Sequence, residues 1–72
     1  MITRVEYRGD GPHYRSRFVE IDRMDELVWR VFCRVDLRER TVWRRSLTSA
    51  QSTARTVIQE GRLPRWSTRP RS

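Results

Sequence analysis

The chain has no lysine, a single cysteine and a single histidine, and only three glycines among its 72 residues. Because Cys33 stands alone, an intramolecular disulfide is excluded, and no CxxC or HxxxH spacing exists from which a zinc site could be built. The sequence also lacks a glycine-rich phosphate loop and a dinucleotide-binding fingerprint. We therefore expect no metal and no cofactor.

Long hydrophobic runs are also missing. No stretch approaches the roughly 20 apolar residues that a membrane-spanning helix needs. The first four residues, MITR, do not begin the apolar segment of a secretory signal. A lone cysteine is typical of a reducing compartment. These features predict a cytoplasmic protein without a membrane partner.

The short length limits the protein to one domain with a small core. A chain of this size buries about 60% of the surface that it exposes when unfolded, and its core supplies on the order of 3–5 kcal/mol. Disulfides and metals are not available to add stability. Self-association into a homo-oligomer, or folding onto a partner, therefore stays open.

The net positive charge lies in the C-terminal half. All 16 basic residues are arginine. Residues 1–36 contain seven arginines and seven acidic residues, whereas residues 37–72 contain nine arginines and two acidic residues, so the whole net charge of +7 lies in the second half. Arginine stays charged at any physiological pH and binds phosphate or carboxylate through two parallel hydrogen bonds. The asymmetry indicates an anionic partner.

Four segments have the alternation or the β-branched and aromatic content of strands. In the third of them, Leu27, Trp29, Val31, Cys33 and Val35 recur at a spacing of two and are predicted to face the core. The second strand could bury either Tyr14 and Phe18 or Val19 and Ile21. The predicted strands are Thr3–Arg8, His13–Ile21, Leu27–Val35 and Thr41–Leu47, separated by turns or loops at Gly9–Pro12, Asp22–Glu26 and Asp36–Arg40.

A helix is predicted from about Ser49 to Glu60. Thr48 and Gln51 have the spacing of a capping box, and apolar residues follow at helical spacing. Gly61 is a typical residue for the end of a helix, and Pro64 prevents its continuation. The apolar stripe consists of Ala50, Ala54, Val57 and Ile58.

These elements predict an α+β fold, a small antiparallel β-meander of three to four strands packed against one C-terminal helix. The domain would span residues 1–62, and residues 63–72 would form an extended basic tail. A three-stranded sheet with a trailing helix resembles, in outline, the amino-terminal arm-binding domains of phage integrases. The resemblance covers topology alone, because no residue motif of that family occurs here.

Catalytic residue types are few. His13, near Arg15 and Arg17, could act as a base in RNA cleavage while an arginine holds the phosphate, but a surface histidine at the start of a strand is the simpler interpretation. Cys33 is predicted to be a core residue. An acidic cluster is predicted to pair with arginine, since its spacing matches no calcium loop; it comprises Glu20, Asp22, Asp25 and Glu26. We expect no enzymatic activity.

Arginines interleaved with aromatic rings are the strongest functional signal. Such a surface can contact phosphates and stack bases, so we expect nucleic acid, either DNA or RNA, as the partner. Arg30 and Arg34 are predicted to lie near Arg44 or Arg45 on one sheet face. Trp29 is assigned to the core, and Trp43 stays open. The candidate contact residues are Arg30, Arg34, Arg38, Arg40, Arg44, Arg45, Arg62, Arg65, Trp66, Arg69 and Arg71.

The alternative is a protein-binding module, such as a small phage or mobile-element factor that docks on an acidic surface of a larger protein or enzyme and modulates it. Arginine and tryptophan are also enriched at protein interfaces. Rings surrounded by arginine would favour nucleic acid, whereas rings surrounded by apolar groups would favour protein.

Overall fold

The computed structural model describes residues 4–9 and 17–67. Within them, a four-stranded antiparallel sheet in the order β1-β2-β3-β4 is followed by one helix. This α+β architecture confirms the predicted meander with its C-terminal helix. The elements are β1 (Arg4–Arg8), β2 (Arg17–Asp25), β3 (Val28–Val35), β4 (Arg38–Arg44) and α1 (Leu47–Glu60).

The register of β2 decides which of its faces is buried. Val19 pairs with Cys33 and Ile21 pairs with Val31, and all four side chains are fully buried. Phe18 therefore lies on the opposite, half-exposed face, while Tyr14 falls outside the described residues. On β1, Val5 and Tyr7 pack against the same core, as their alternation predicts.

The turn predicted at Asp22–Glu26 is wrong, because β2 continues through Asp25 and only Glu26 and Leu27 form the turn. Asp22 pairs across the sheet with Arg30, so its charge is compensated by an arginine of the neighbouring strand. Leu27, predicted to face the core, is 65% exposed, because it lies in this turn before β3 begins.

The loop predicted at Asp36–Arg40 is shorter than expected. Asp36 adopts a left-handed backbone conformation with φ of +56°, which an aspartate tolerates better than most residues. Asp36 and Leu37 alone then reverse the chain, as in two-residue hairpins. Strand β4 consequently starts at Arg38, three residues before the predicted start.

The helix begins earlier than its predicted capping box. The N-cap is Ser46, whose side-chain oxygen accepts a hydrogen bond from the Ser49 N–H at 3.1 Å, so Thr48 is not the cap. The predicted end is confirmed. Gly61 has φ of +68°, and its N–H donates to the Val57 carbonyl at 2.9 Å.

The core lies between the helix and one face of the sheet. Ala50, Ala54 and Val57 are buried on the helix and pack against the buried side chains of β2 and β3. Trp29 is 7% exposed and belongs to this core, which confirms its assignment. No helix in the described ranges is long and apolar enough to cross a membrane.

Cys33 lies in the centre of this core, as predicted, and is fully buried. Burial raises the pKa of its thiol to about 11, although the nearby guanidinium groups of Arg44 and Arg40 act in the opposite direction. Only the thiolate is nucleophilic. We therefore expect a disulfide reagent at pH 8 to modify the native protein at least about 100-fold more slowly than the urea-unfolded chain. Comparable rates in the two states would show that Cys33 is accessible.

Candidate functional site

The register between β3 and β4 separates two groups of predicted contact residues. Trp29 pairs with Arg44, and Arg30 pairs with Trp43. Because adjacent residues of a strand point to opposite faces, Arg44 lies on the helix side of the sheet and Arg30 lies on the other side. Of the predicted alternatives, proximity of Arg30 and Arg34 to Arg44 is therefore wrong, while proximity to Arg45, which follows β4, stays a prediction.

The sheet face opposite the helix, called the open face here, has balanced charges. Its residues on the four strands include four arginines and four carboxylates, and most of them are paired. Arg30 Nη2 lies 2.7 Å from Asp22 Oδ2, and Arg4 Nε lies 2.8 Å from Asp22 Oδ1. The charged set is Arg4, Arg8, Arg30, Arg34, Glu6, Glu20, Asp22 and Glu39.

Asp22 is the central acceptor of the open face. Burial alone would raise the pKa of its carboxyl, but hydrogen bonds from Arg4 and Arg30 outweigh that effect and hold the pKa below the ordinary value of 3.8. The pKa of Glu20 is raised, first by its side-chain hydrogen bond with Asp22 and then by burial. Glu20 Oε1 also lies 3.6 Å from Arg4 Nη2, so the predicted pairing of the acidic cluster with arginine is confirmed for Asp22 and Glu20.

The rings of the open face are covered by arginine. The guanidinium carbons of Arg8 and Arg34 lie 5.3 and 5.6 Å from the Phe18 ring centroid, and Phe32 packs edge-on against Phe18 at 6.3 Å. Trp43 lies on the same face and is half-buried. Since the same arginines are paired with Glu6 and Glu39, this face offers little free positive charge.

Free positive charge collects instead on the helix side of β4. One cavity of about 330 Å³ lies between Arg44, the helix residues Ser52, Thr53 and Thr56, and residues 62–65. A second, of about 470 Å³, lies between residues 38–40 and 61–63. The two share Arg62 and Leu63 in their linings. We call these two adjoining cavities together the basic groove.

Five predicted contact residues meet in the basic groove, from two segments that are far apart in the sequence. Within the part of the chain that the structure describes, only Arg62 of these five forms an ion pair, with Glu60. Glu39, which also lines the groove, lies 3.9 Å from Arg34 of the open face. The groove therefore holds excess positive charge. Its arginines are Arg38, Arg40, Arg44, Arg62 and Arg65.

Three helix hydroxyls in the groove are functional candidates that the sequence interpretation missed. Thr53 Oγ1 accepts a hydrogen bond from Arg44 Nε at 2.9 Å, which fixes that guanidinium against the helix. Ser52 and Thr56 line the same cavity. The spacing of Ser52 and Thr56 places them on one face of any helix through these residues, so the predicted helix already contained this signal.

Residues 62–67 run beside the edge strand β4. The Arg40 Nη1 donates to the Pro64 carbonyl at 2.6 Å. The Ser67 hydroxyl accepts from the Trp43 N–H at 2.7 Å and donates to the Trp43 carbonyl at 3.3 Å. Leu63 packs against the core. These contacts satisfy part of the free strand edge, which would otherwise be open to pairing with another chain.

The remaining predicted contact residues lie apart from the basic groove or cannot be located. Arg45 is exposed just after β4. Arg69 and Arg71 fall outside the described residues, as does His13. The division of the chain into a domain up to residue 62 and a tail after it stays a prediction. In the described ranges, no group of three or more histidine, cysteine or acidic residues is placed to hold a metal ion.

Comparisons with protein-family models, with curated proteins and with solved structures find no match to this chain. Its function is therefore inferred from the geometry and charge of the basic groove.

Proposed function

We propose that this chain is a non-catalytic nucleic-acid-binding protein whose basic groove holds the phosphate backbone of DNA or RNA. The observation that carries the proposal is the meeting of Arg38, Arg40 and Arg44 of β4 with Arg62 and Arg65 in one groove. A net-neutral face lies on the other side of the same sheet. A backbone of regularly spaced phosphates can contact several arginines that lie in two adjoining cavities.

The groove offers two kinds of phosphate ligand. Arginines supply charge and paired N–H donors, and the hydroxyl of Ser52 adds a neutral donor beside them. The Thr56 hydroxyl lies in the same cavity but donates to the Ser52 carbonyl at 3.2 Å. Arg44 is already oriented by Thr53 and by the Trp43 carbonyl, whose oxygen accepts from Arg44 Nη1 at 2.9 Å. A held guanidinium loses less conformational entropy when a phosphate binds than a free side chain does.

Arg38 and Arg65 provide the sharpest test of the groove. Both side chains are exposed, and neither guanidinium forms a hydrogen bond or an ion pair within the described residues, so replacing them should leave the fold intact. Each phosphate contact contributes about −0.9 to the log–log salt slope for duplex DNA and about −0.7 for single strands. We expect Arg38→Gln combined with Arg65→Gln to reduce the slope by roughly 1.4 to 1.8. Fluorescence anisotropy of labelled oligonucleotides at several salt concentrations measures it.

The matched control is Arg8→Gln combined with Arg34→Gln. These two arginines are also exposed, and replacing them removes the same charge as the groove variant does. They lie on the open face. We expect this control to change the slope by much less than the groove variant. Equal losses in both variants would mean that overall charge, and not the groove, attracts the ligand. Binding of polyglutamate with no binding of any oligonucleotide would overturn the proposal in favour of docking on an acidic protein surface.

A further inference from the structure

Trp66 is the feature that the proposed phosphate contacts leave unexplained. Trp66 is 77% exposed, one of the highest values among the large hydrophobic residues described. Burying an aromatic ring is normally favourable by about 1.5–3 kcal/mol. The other two tryptophans are buried or half-buried. Trp66 therefore leaves most of its indole uncovered, and an exposed indole offers a planar apolar surface on which another planar group can stack.

The residues on both sides of Trp66 are held in place by hydrogen bonds to β4. Pro64 accepts the hydrogen bond from Arg40, and Ser67 makes its two hydrogen bonds with Trp43. The guanidinium carbon of Arg40 also lies 5.6 Å from the Trp66 ring centroid. Arg40 thus supports both the segment and the ring, and the exposed area of the indole stays open to a second planar group.

Trp66 directly follows two residues that line the basic groove, Pro64 and Arg65. A planar group stacked on the indole would therefore be attached to a backbone whose phosphates lie among the groove arginines. In a duplex, both faces of each base are covered by its neighbours, whereas an unpaired base can turn out and stack on an aromatic side chain.

We propose that the ligand of this protein is single-stranded nucleic acid, with phosphates in the basic groove and an unpaired base stacked on Trp66. This inference rests on the proposed function and adds the class of strand to it. The stacked base needs no particular identity, because every base has a π-face. Single-stranded DNA and single-stranded RNA share the required chemistry, so the test includes both.

The decisive comparison is between oligothymidylate and an abasic strand of the same length and charge. Stacking on an aromatic side chain is worth enough to change affinity by roughly tenfold or more. We expect the intact protein to bind oligothymidylate or oligouridylate roughly tenfold more tightly than the abasic strand, and more tightly than a duplex of equal length. The tighter of the two oligonucleotides identifies the natural strand type.

The Trp66→Ala variant should remove this preference while leaving binding to the abasic strand unchanged, and Trp66→Phe should restore part of it. Slow modification of Cys33 serves as the check that both variants are folded. If the intact protein binds abasic and base-containing strands equally, or prefers the duplex, the inference is wrong and the proposed phosphate groove stands. If no strand binds, both fail.

Discussion

Replacing Asp22 by alanine is expected to lower the free energy of unfolding by about 2–3 kcal/mol, which is a large part of the stability of a domain of this size. The Asp22 side chain is only 11% exposed and accepts hydrogen bonds from two arginines. Its removal leaves the Arg30 guanidinium without its carboxylate, and Arg30 Nε is already buried with no hydrogen-bond partner in the described residues.

The expected loss stays below the 3–5 kcal/mol that is typical of breaking a fully buried pair. The side chains of Arg4 and Arg30 are 59% and 37% exposed, so water can replace part of what Asp22 supplied. Urea unfolding followed by circular dichroism measures the change. The matched control is Glu6→Ala, which removes an exposed ion pair from the same face and should cost about 0–1 kcal/mol. A similar loss in both variants would contradict a special role for Asp22.

The stability of the wild-type protein should depend on pH through the carboxyl groups of Asp22 and Glu20. The pKa of Asp22 is lowered in the fold, so its contribution is present above the ordinary pKa of 3.8 and is lost as pH falls below that value. The raised pKa of Glu20 acts in the opposite sense, since protonation of Glu20 adds stability before Asp22 titrates. Unfolding free energies measured from pH 7 to pH 2.5 should show the decline in wild type and a weaker decline in Asp22→Asn.

Replacing Ala54 by leucine is expected to destabilise the fold by about 1–3 kcal/mol. Ala54 is fully buried where the helix packs on the sheet. Because close-packed cores hold little free volume, the extra carbons of leucine should push the helix away from the sheet or force a strained rotamer.

The control for the Ala54 variant is Gln59→Leu, which introduces the same side chain at an exposed position of the same helix. This change should alter the free energy of unfolding by no more than about 0.5 kcal/mol. Chemical denaturation of both variants gives the comparison. If Ala54→Leu is as stable as wild type, the interface between helix and sheet is looser than the structure shows.

The order and type of the elements follow from the sequence by itself. Alternating apolar residues around Val31 and Cys33 require a strand, because only period-two spacing brings them to one face. Ala50, Ala54 and Val57 require a helix, and Gly61 ends it because a left-handed residue without Cβ closes the last turn at little cost. Local preference and burial agree in these segments, so the antiparallel meander with a C-terminal helix could be predicted.

The limits of the strands could not be predicted in the same way. Asp22 has the polarity of a turn residue, and it remains within β2 because Arg4 and Arg30 arrive from the neighbouring strands to pair with it. Asp36 permits a two-residue reversal by adopting a positive φ, which no periodicity reveals. At Asp22 long-range pairing outweighs local propensity, whereas at Asp36 a local backbone conformation sets the length of the turn.

The sequence by itself determined that excess positive charge lies in the second half and that Trp29 and Cys33 belong to the core. Only the tertiary structure decided where the arginines gather. A shift of one residue in strand register exchanges the two faces of a sheet, and the pairing of Trp29 with Arg44 placed Arg44 beside the helix, away from Arg30. The chain reversal at Gly61 then returned Arg62 and Arg65 to the same edge. Contacts between residues so distant in the sequence depend on register and chain direction, which are properties of the folded sheet as a whole.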